Sequence, residues 1–240
     1  MIFQIFVVVA LLAVANARPN RRAASCTFPT PPSTSSLSSP KTIEAGESFD
    51  GGNVRFDRGD GACEGQTEEG EDAAVFLLEE GASLSNVVIG ADQSEGIHCL
   101  GSCTLTNVWF EDVCEDAITI KQESGTSTIK GGGAKGADDK VIQHNGGGTV
   151  AIDSFCVEDF VRSSSLSSMY ERHSTFSNII ASDGSSLAGI NSNYGDTAIF
   201  DTDTIETDNV DSICDTYTGN DDGDEPTKLT SNTSNDYCQF

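Results

Sequence analysis

Positive charge is scarce in this chain: 13 Lys and Arg stand against 38 Asp and Glu, a formal net charge of −25. Such a surface repels phosphate backbones and anionic lipid, so the expectation is no nucleic acid and no membrane among its partners. Long apolar runs are missing too. The one exception, Ile5 to Val14, is too short to cross a bilayer, and Ala15-Asn16-Ala17 after it is a small-x-small cleavage site. Residues 1–17 therefore read as a secretory signal peptide. No hydrophobic tail precedes Phe240, so the mature protein is expected to be soluble, secreted and extracellular, without a membrane or lipid anchor.

No stretch carries a 3.6-residue apolar period over ten or more positions, which leaves little room for helices. C-x-x-C pairs are absent as well; the nearest spacing is Cys99 to Cys103. The eight cysteines, all beyond the signal peptide, thus point to up to four disulfides rather than to a zinc site. The acidic run Asn220 to Glu225 lacks the order of an EF-hand loop and reads as a solvated tail.

What the chain does contain is short β-rich runs punctuated by Gly, Asn, Asp and Ser. They include Ala74 to Leu78, Val87 to Ile89, Thr104 to Phe110, Ala117 to Lys121, Thr126 to Ile129, Val141 to His144, Thr149 to Ile152, Ser154 to Val157 and Phe176 to Ile180. Ahead of them, residues 18–41 form a Pro/Ser/Thr-rich lead-in, with Cys26 placed to tie it to the body. The folded domain is expected over 42–240, including the acidic tail.

Strand content alone fits a sandwich equally well. An internal echo decides between them. Leu84-Ser85-Asn86-Val87-Val88-Ile89 returns 21 residues later as Leu105-Thr106-Asn107-Val108-Trp109-Phe110, and Glu95-Gly96-Ile97 returns as Glu115-Asp116-Ala117-Ile118. A repeat of this length is one supersecondary unit stacked on itself. Three short strands per coil predict an all-β, right-handed parallel β-helix, with Asn86, Asn107 and Asn178 as a ladder of turn asparagines.

The same period gathers charges. Glu95, Glu115-Asp116, Lys140 and Arg162 recur near one coil length, so they fall on one side of the solenoid in adjacent rungs, carboxylates toward one end and cations toward the other. Three carboxylates within ~5 Å raise one another's pKa unless a cation neutralises them. Ca²⁺ is the natural occupant outside a cell. The competing readings are a solvated acidic face for the carboxylates and a salt-bridged surface lysine for Lys140. A metal-bridged anionic substrate accounts for both sets of charges: cations around a substrate carboxylate acidify the adjacent carbon and favour β-elimination on a uronate polymer.

Several segments resemble the class III pectate lyases. They are Glu95-Gly96-Ile97-His98-Cys99, the run Asn107 to Lys121, Asp139 to Gly146, and Gly189 to Asp196. The resemblance spans roughly residues 42–225. It implies a parallel β-helix, calcium dependence and eliminative cleavage of polygalacturonate to 4,5-unsaturated products, with the chain expected to act as a monomer. By position, Glu95, Glu115 and Asp116 resemble the calcium ligands, and Lys140 resembles the base or a principal substrate-binding cation. One of Glu68, Glu69 and Glu71 resembles a further site carboxylate.

The sequence departs from the family at Asp159 to Ser165. The family there has a lysine and an arginine, whereas this chain is shorter and offers only Arg162. Without a gap Arg162 takes the lysine's place; with a deletion after Phe160 it takes the arginine's. Lys121 and Arg172 are the candidates to supply the second charge, Lys121 as a substrate-binding residue. Two classes of function follow, an active lyase and a lyase-derived pectate-binding protein.

Overall fold

The computed structural model describes residues 24–65, 69–165, 170–222 and 225–240, with no side-chain description for 163–165. The signal-peptide reading of 1–17, Glu68 and Asp224 lie outside the described residues. Among the described residues, regular structure consists of strands and three single-turn 3₁₀ helices. No helix there is long and apolar enough to cross a membrane.

The strands wind into a right-handed parallel β-helix of about seven turns. Its register follows the echo: Leu84 faces Leu105, Val87 faces Val108 and Ile89 faces Phe110 between the strands Ser83–Ile89 and Thr104–Phe110. In-register stacking places identical positions ~4.8 Å apart. Inward side chains therefore form columns, one of which runs Leu84, Leu105, Ile129, Ile152, Phe176, Phe200. The last two rings are stacked, centroids 4.5 Å apart. Leu84, Leu105 and Ile129 are fully buried, and no member of this column is more than 6% exposed.

Corners require the left-handed backbone region, which Asn tolerates because its short amide bonds locally. Asn86, Asn107 and Asn178 all have φ between 52° and 54°. Asn107 Nδ2 donates to Asn86 Oδ1 (2.8 Å), so these two form a ladder. Asn178 instead donates to Asp153 Oδ1 (2.6 Å). Because Asn178 is a corner, Phe176 to Ile180 is not one strand but the junction of Arg172–Ser177 and Ile179–Asn191. The runs at Thr126 and Val141 belong conversely to one bent strand, Thr126–His144. It bends at Gly132, whose φ is +105° and where a Cβ would come within 1.9 Å of the Val108 carbonyl oxygen.

Residues 24–41 of the lead-in and the C-terminal region are more ordered than their composition suggests. Thr34–Ser36 in the lead-in pairs with Arg55 to Asp57, and Phe28 packs edge-on against Trp109. Cys26 is bonded to Cys156, while Cys63–Cys114, Cys99–Cys103 and Cys214–Cys238 account for the other six cysteines. Near the C-terminus, Ile205–Thr218, which is not among the strands expected from the sequence, is a full rung paired in parallel with Ile179–Asn191. Thr227–Ser231 then returns antiparallel along it.

Arg172, Asp196 and His144 are polar groups that lie deep in the stack. Arg172 is fully buried, and its guanidinium donates to both Asp196 oxygens (3.2 and 2.9 Å) and to the His144 carbonyl (3.1 Å). Burial pushes the Asp196 carboxyl up, while the hydrogen bonds and charge of Arg172 oppose it. The side chain is committed to the interior, so Arg172 cannot serve the outer face as a substitute cation. His144 is also buried, its Nε2–H donating to the Gly147 carbonyl at 3.3 Å. Burial lowers its pKa from 6.5 to about 4.

Removing an interior column member should create a cavity: Ile129→Ala is expected to cost about 2–5 kcal/mol in urea denaturation. For His144 the unfolded chain binds a proton that the folded chain refuses. Its contribution is therefore complete above pH 6.5 and declines as pH falls toward about 4. The expected loss across that window is up to about 3 kcal/mol. A His144→Gln variant whose pH–stability curve matches wild type between these values would contradict this origin.

Candidate functional site

One outward column of the solenoid carries the charges. Glu95 is the register partner of Asp116, Asp116 of Lys140, and Lys140 of Arg162. Ala74 precedes this series, and Ser186 and Ser212 continue it. These side chains lie in different coils, yet each is one strand spacing from the next. The start of the strand Glu95–Cys99 depends on Gly96, where a Cβ would meet the Ala117 carbonyl oxygen at 2.2 Å.

Glu115 sits just before the strand Asp116–Ile120, and its backbone N–H donates to the Ser94 carbonyl (3.2 Å). The residue before it, Cys114, is bonded to Cys63. That disulfide fixes the turn delivering Glu115, a link between a distant loop and the site that the sequence period does not contain.

Glu95, Glu115 and Asp116 are buried, and they offer oxygens all within 4.8 Å of one another. Neither Asp116 oxygen has a hydrogen-bond partner. Burial, reinforced by Glu115 and Glu95 against the pull of Lys140, pushes the Asp116 carboxyl up to about 9. Buried, unbonded carboxylate oxygens in an all-oxygen cluster are what a hard divalent cation requires, so the donor set fits calcium. His98 Nε2–H donates to Glu95 Oε2 (2.9 Å), holding that carboxylate in place. Sequence reasoning missed this contact, because strand alternation puts positions i and i+3 on opposite faces.

Lys140 is not a surface lysine. It is 7% exposed, with Nζ 3.4 Å from Asp116 Oδ1, 3.6 Å from Glu115 Oε1 and in contact with Asp139. The cation thus lies among the carboxylates, not at the far end of a cleft. Burial alone lowers its pKa, but Asp116, Asp139 and Glu115 together raise it above the ordinary lysine value.

Arg162 is half-buried beside Lys140, where a register shift follows Phe160. Its guanidinium lies 5.8 Å from the centre of the Tyr217 ring. Lys121 stands at the edge of the site, its Nζ 3.1 Å from Glu71 Oε1, so it does not join Lys140 and Arg162 in the column. Next to Glu95, a cleft of ≈ 450 Å³ is bordered by Arg58, Glu69, Asp72, Ala73 and Ser94. Of the upstream acids, Glu69 therefore faces the cleft and Glu71 holds Lys121.

Known proteins share this arrangement of sequence and fold. The family described as pectate lyase matches residues 25–224. The chain is 47% identical to pectate lyase H of Emericella nidulans over 241 residues, covering 96% of this chain and 92% of that one. It is 49% identical to a probable pectate lyase D of Aspergillus fumigatus over 219 residues, 89% of each. Among solved structures, the catalytic domain of pectate lyase PelI from Erwinia chrysanthemi superposes with a TM-score of 0.68 at 25% identity, covering 87% of this chain and 94% of that one. PelI in complex with tetragalacturonic acid gives 0.65 at 26% identity, over 82% and 66% of the two chains.

Calorimetric titration should register Ca²⁺ binding with a Kd on the order of 10⁻⁴ M or tighter. Asp116→Asn keeps the side chain's size but removes its negative charge, so calcium affinity should fall at least ~10-fold. Unchanged affinity in this variant would remove Asp116 from the ligand set.

Proposed function

The chain belongs to the pectate lyase family, and from that premise we propose that it is a secreted, calcium-dependent lyase cleaving polygalacturonate by β-elimination. The observation that carries this reading is the strand-to-strand pairing of Glu95, Asp116, Lys140 and Arg162 beside Glu115. It supplies cation ligands, a lysine and a permanent positive charge within neighbouring rungs of one sheet.

Glu95, Glu115 and Asp116 would hold the ion. When bound, calcium supplies the positive charge that draws electron density from a uronate carboxylate and acidifies the C5–H beside it. Arg162 is cationic at every working pH and binds the substrate carboxylate, stabilising the charge that develops as the proton leaves. Lys140 removes the proton, since of the two cations only a lysine is readily shifted toward neutrality by its surroundings. The electrons of the C5–H bond become the C4=C5 double bond, the C4–O bond breaks, and the departing oxygen takes up a proton. The products are 4,5-unsaturated oligogalacturonides.

The field of Asp116, Asp139 and Glu115 keeps Lys140 protonated, so its action as a base depends on neutralising those carboxylates and on alkaline pH. The buried position of Asp116 serves the same end, because a carboxyl that resists ionisation in isolation gains most from a bound cation.

The test is ultraviolet absorbance of unsaturated uronides on polygalacturonate, with calcium and with chelator. Wild type should produce signal only with calcium, and the rate should rise with pH through the alkaline range. Lys140→Ala should lower kcat/KM by ~10²-fold or more, and Arg162→Ala by about 10²-fold. Retention on pectate gels without product would mark a pectate-binding protein instead. An Arg162→Ala variant with wild-type rate and affinity would remove that residue from the site.

A further inference from the structure

Beyond Arg162 the outward face continues into a groove of ≈ 290 Å³ bordered by Arg162, Ser186, Asp215, Tyr217 and Lys228. Lys228 arrives by a route outside the coil period. It lies on Thr227–Ser231, the antiparallel strand, where it is the register partner of Tyr217. Lys228 Nζ is 5.5 Å from the centre of the Tyr217 ring and Arg162 Cζ is 5.8 Å from it. In a chain with 13 cationic side chains against 38 acids, two of them border one aromatic ring.

The ring and the lysine are held from beneath. Asp215 is 2% exposed and accepts hydrogen bonds from Lys228 Nζ (2.6 Å), Ser212 Oγ (2.6 Å), Ser231 Oγ (2.8 Å) and the Tyr217 hydroxyl (3.4 Å). Burial raises its pKa, but the bonds from Lys228, Ser212 and Ser231 outweigh burial and keep it below the usual carboxylate value. Asp215 is therefore a fixed anion that positions both neighbours. The Lys228 side chain is half-exposed, and of its three ammonium donors Asp215 and Tyr217 do not use all.

An aromatic face beside cations matches a sugar that has an apolar C–H face and a carboxylate in the same ring. The ring supplies stacking area and the cations select the charged group. We propose that Tyr217 and Lys228, next to Arg162, form a second uronate-binding subsite, which holds a sugar of the polymer other than the one that loses its proton. This rests on the polygalacturonate reading above. It assigns Lys228 the task of favouring free carboxylate over methyl ester, and Tyr217 that of orienting the chain as it passes Arg162.

Affinity electrophoresis in polygalacturonate gels with calcium tests the subsite, using wild type, Tyr217→Leu, Tyr217→Phe, Lys228→Met and Lys228→Arg, with thermal melting as a control for folding. Tyr217→Leu and Lys228→Met should each weaken retention about 10-fold, whereas Tyr217→Phe and Lys228→Arg stay within about 3-fold of wild type. On highly methyl-esterified pectin the Lys228→Met effect should shrink. Wild-type retention by Tyr217→Leu and Lys228→Met overturns the subsite, as does equal loss in all four variants, which would assign these residues to structure. The product assay on wild type separates the two proposals. Unsaturated product with unaltered retention in the variants sinks the subsite alone, whereas wild type that neither binds nor cleaves polygalacturonate sinks both.

Discussion

In-register parallel stacking is the constraint from which the site's electrostatics descend. Once Glu95, Asp116, Lys140 and Arg162 occupy equivalent positions in successive coils, their backbones are fixed ~4.8 Å apart and the charges cannot separate. Two carboxylates in adjacent rungs, with Glu115 alongside, repel one another in a setting where water is largely excluded. Lys140 relieves part of that repulsion by lying among them, which is why its proton is held so firmly. The apolar columns on the inner side hold this strained outer column in place, so packing and chemistry are two faces of the same strands.

The two kinds of buried charge in the molecule have opposite accounts. Arg172 and Asp196 satisfy each other with bidentate geometry and further backbone bonds, leaving nothing for a ligand to do. At Asp116 the hydrogen bonds are missing. A satisfied buried pair serves the fold, whereas an unsatisfied one needs an outside partner.

Much of this was legible in the sequence because a β-solenoid writes its spatial period directly into the chain. The echo of Leu84–Ile89 in Leu105–Phe110 gives the observed register, and the same interval brings together Glu95, Asp116, Lys140 and Arg162. What resisted reading lies where the period is broken or hidden. The strand Thr126–His144 looks like two because glycines bend it. Ile205–Thr218 escapes notice as a strand because polar residues cover its outer face, although Cys214, Asp215 and Thr216 are buried. Arg172 resembles a spare surface cation until its partner Asp196, in another coil, is known. Lys228 is invisible to any repeat, since it arrives on a strand running the other way.

That reversed strand has a consequence for the whole particle. A stack of parallel coils ends in a row of unpaired backbone donors and acceptors, a template onto which the first coil of another molecule could continue the solenoid as a fibre. Thr227–Ser231 pairs antiparallel along part of that row and so covers the backbone groups of Ile205–Thr218 there. The strand that covers this part of the edge also carries Lys228, so one segment both shields the last long rung and lines the far end of the groove.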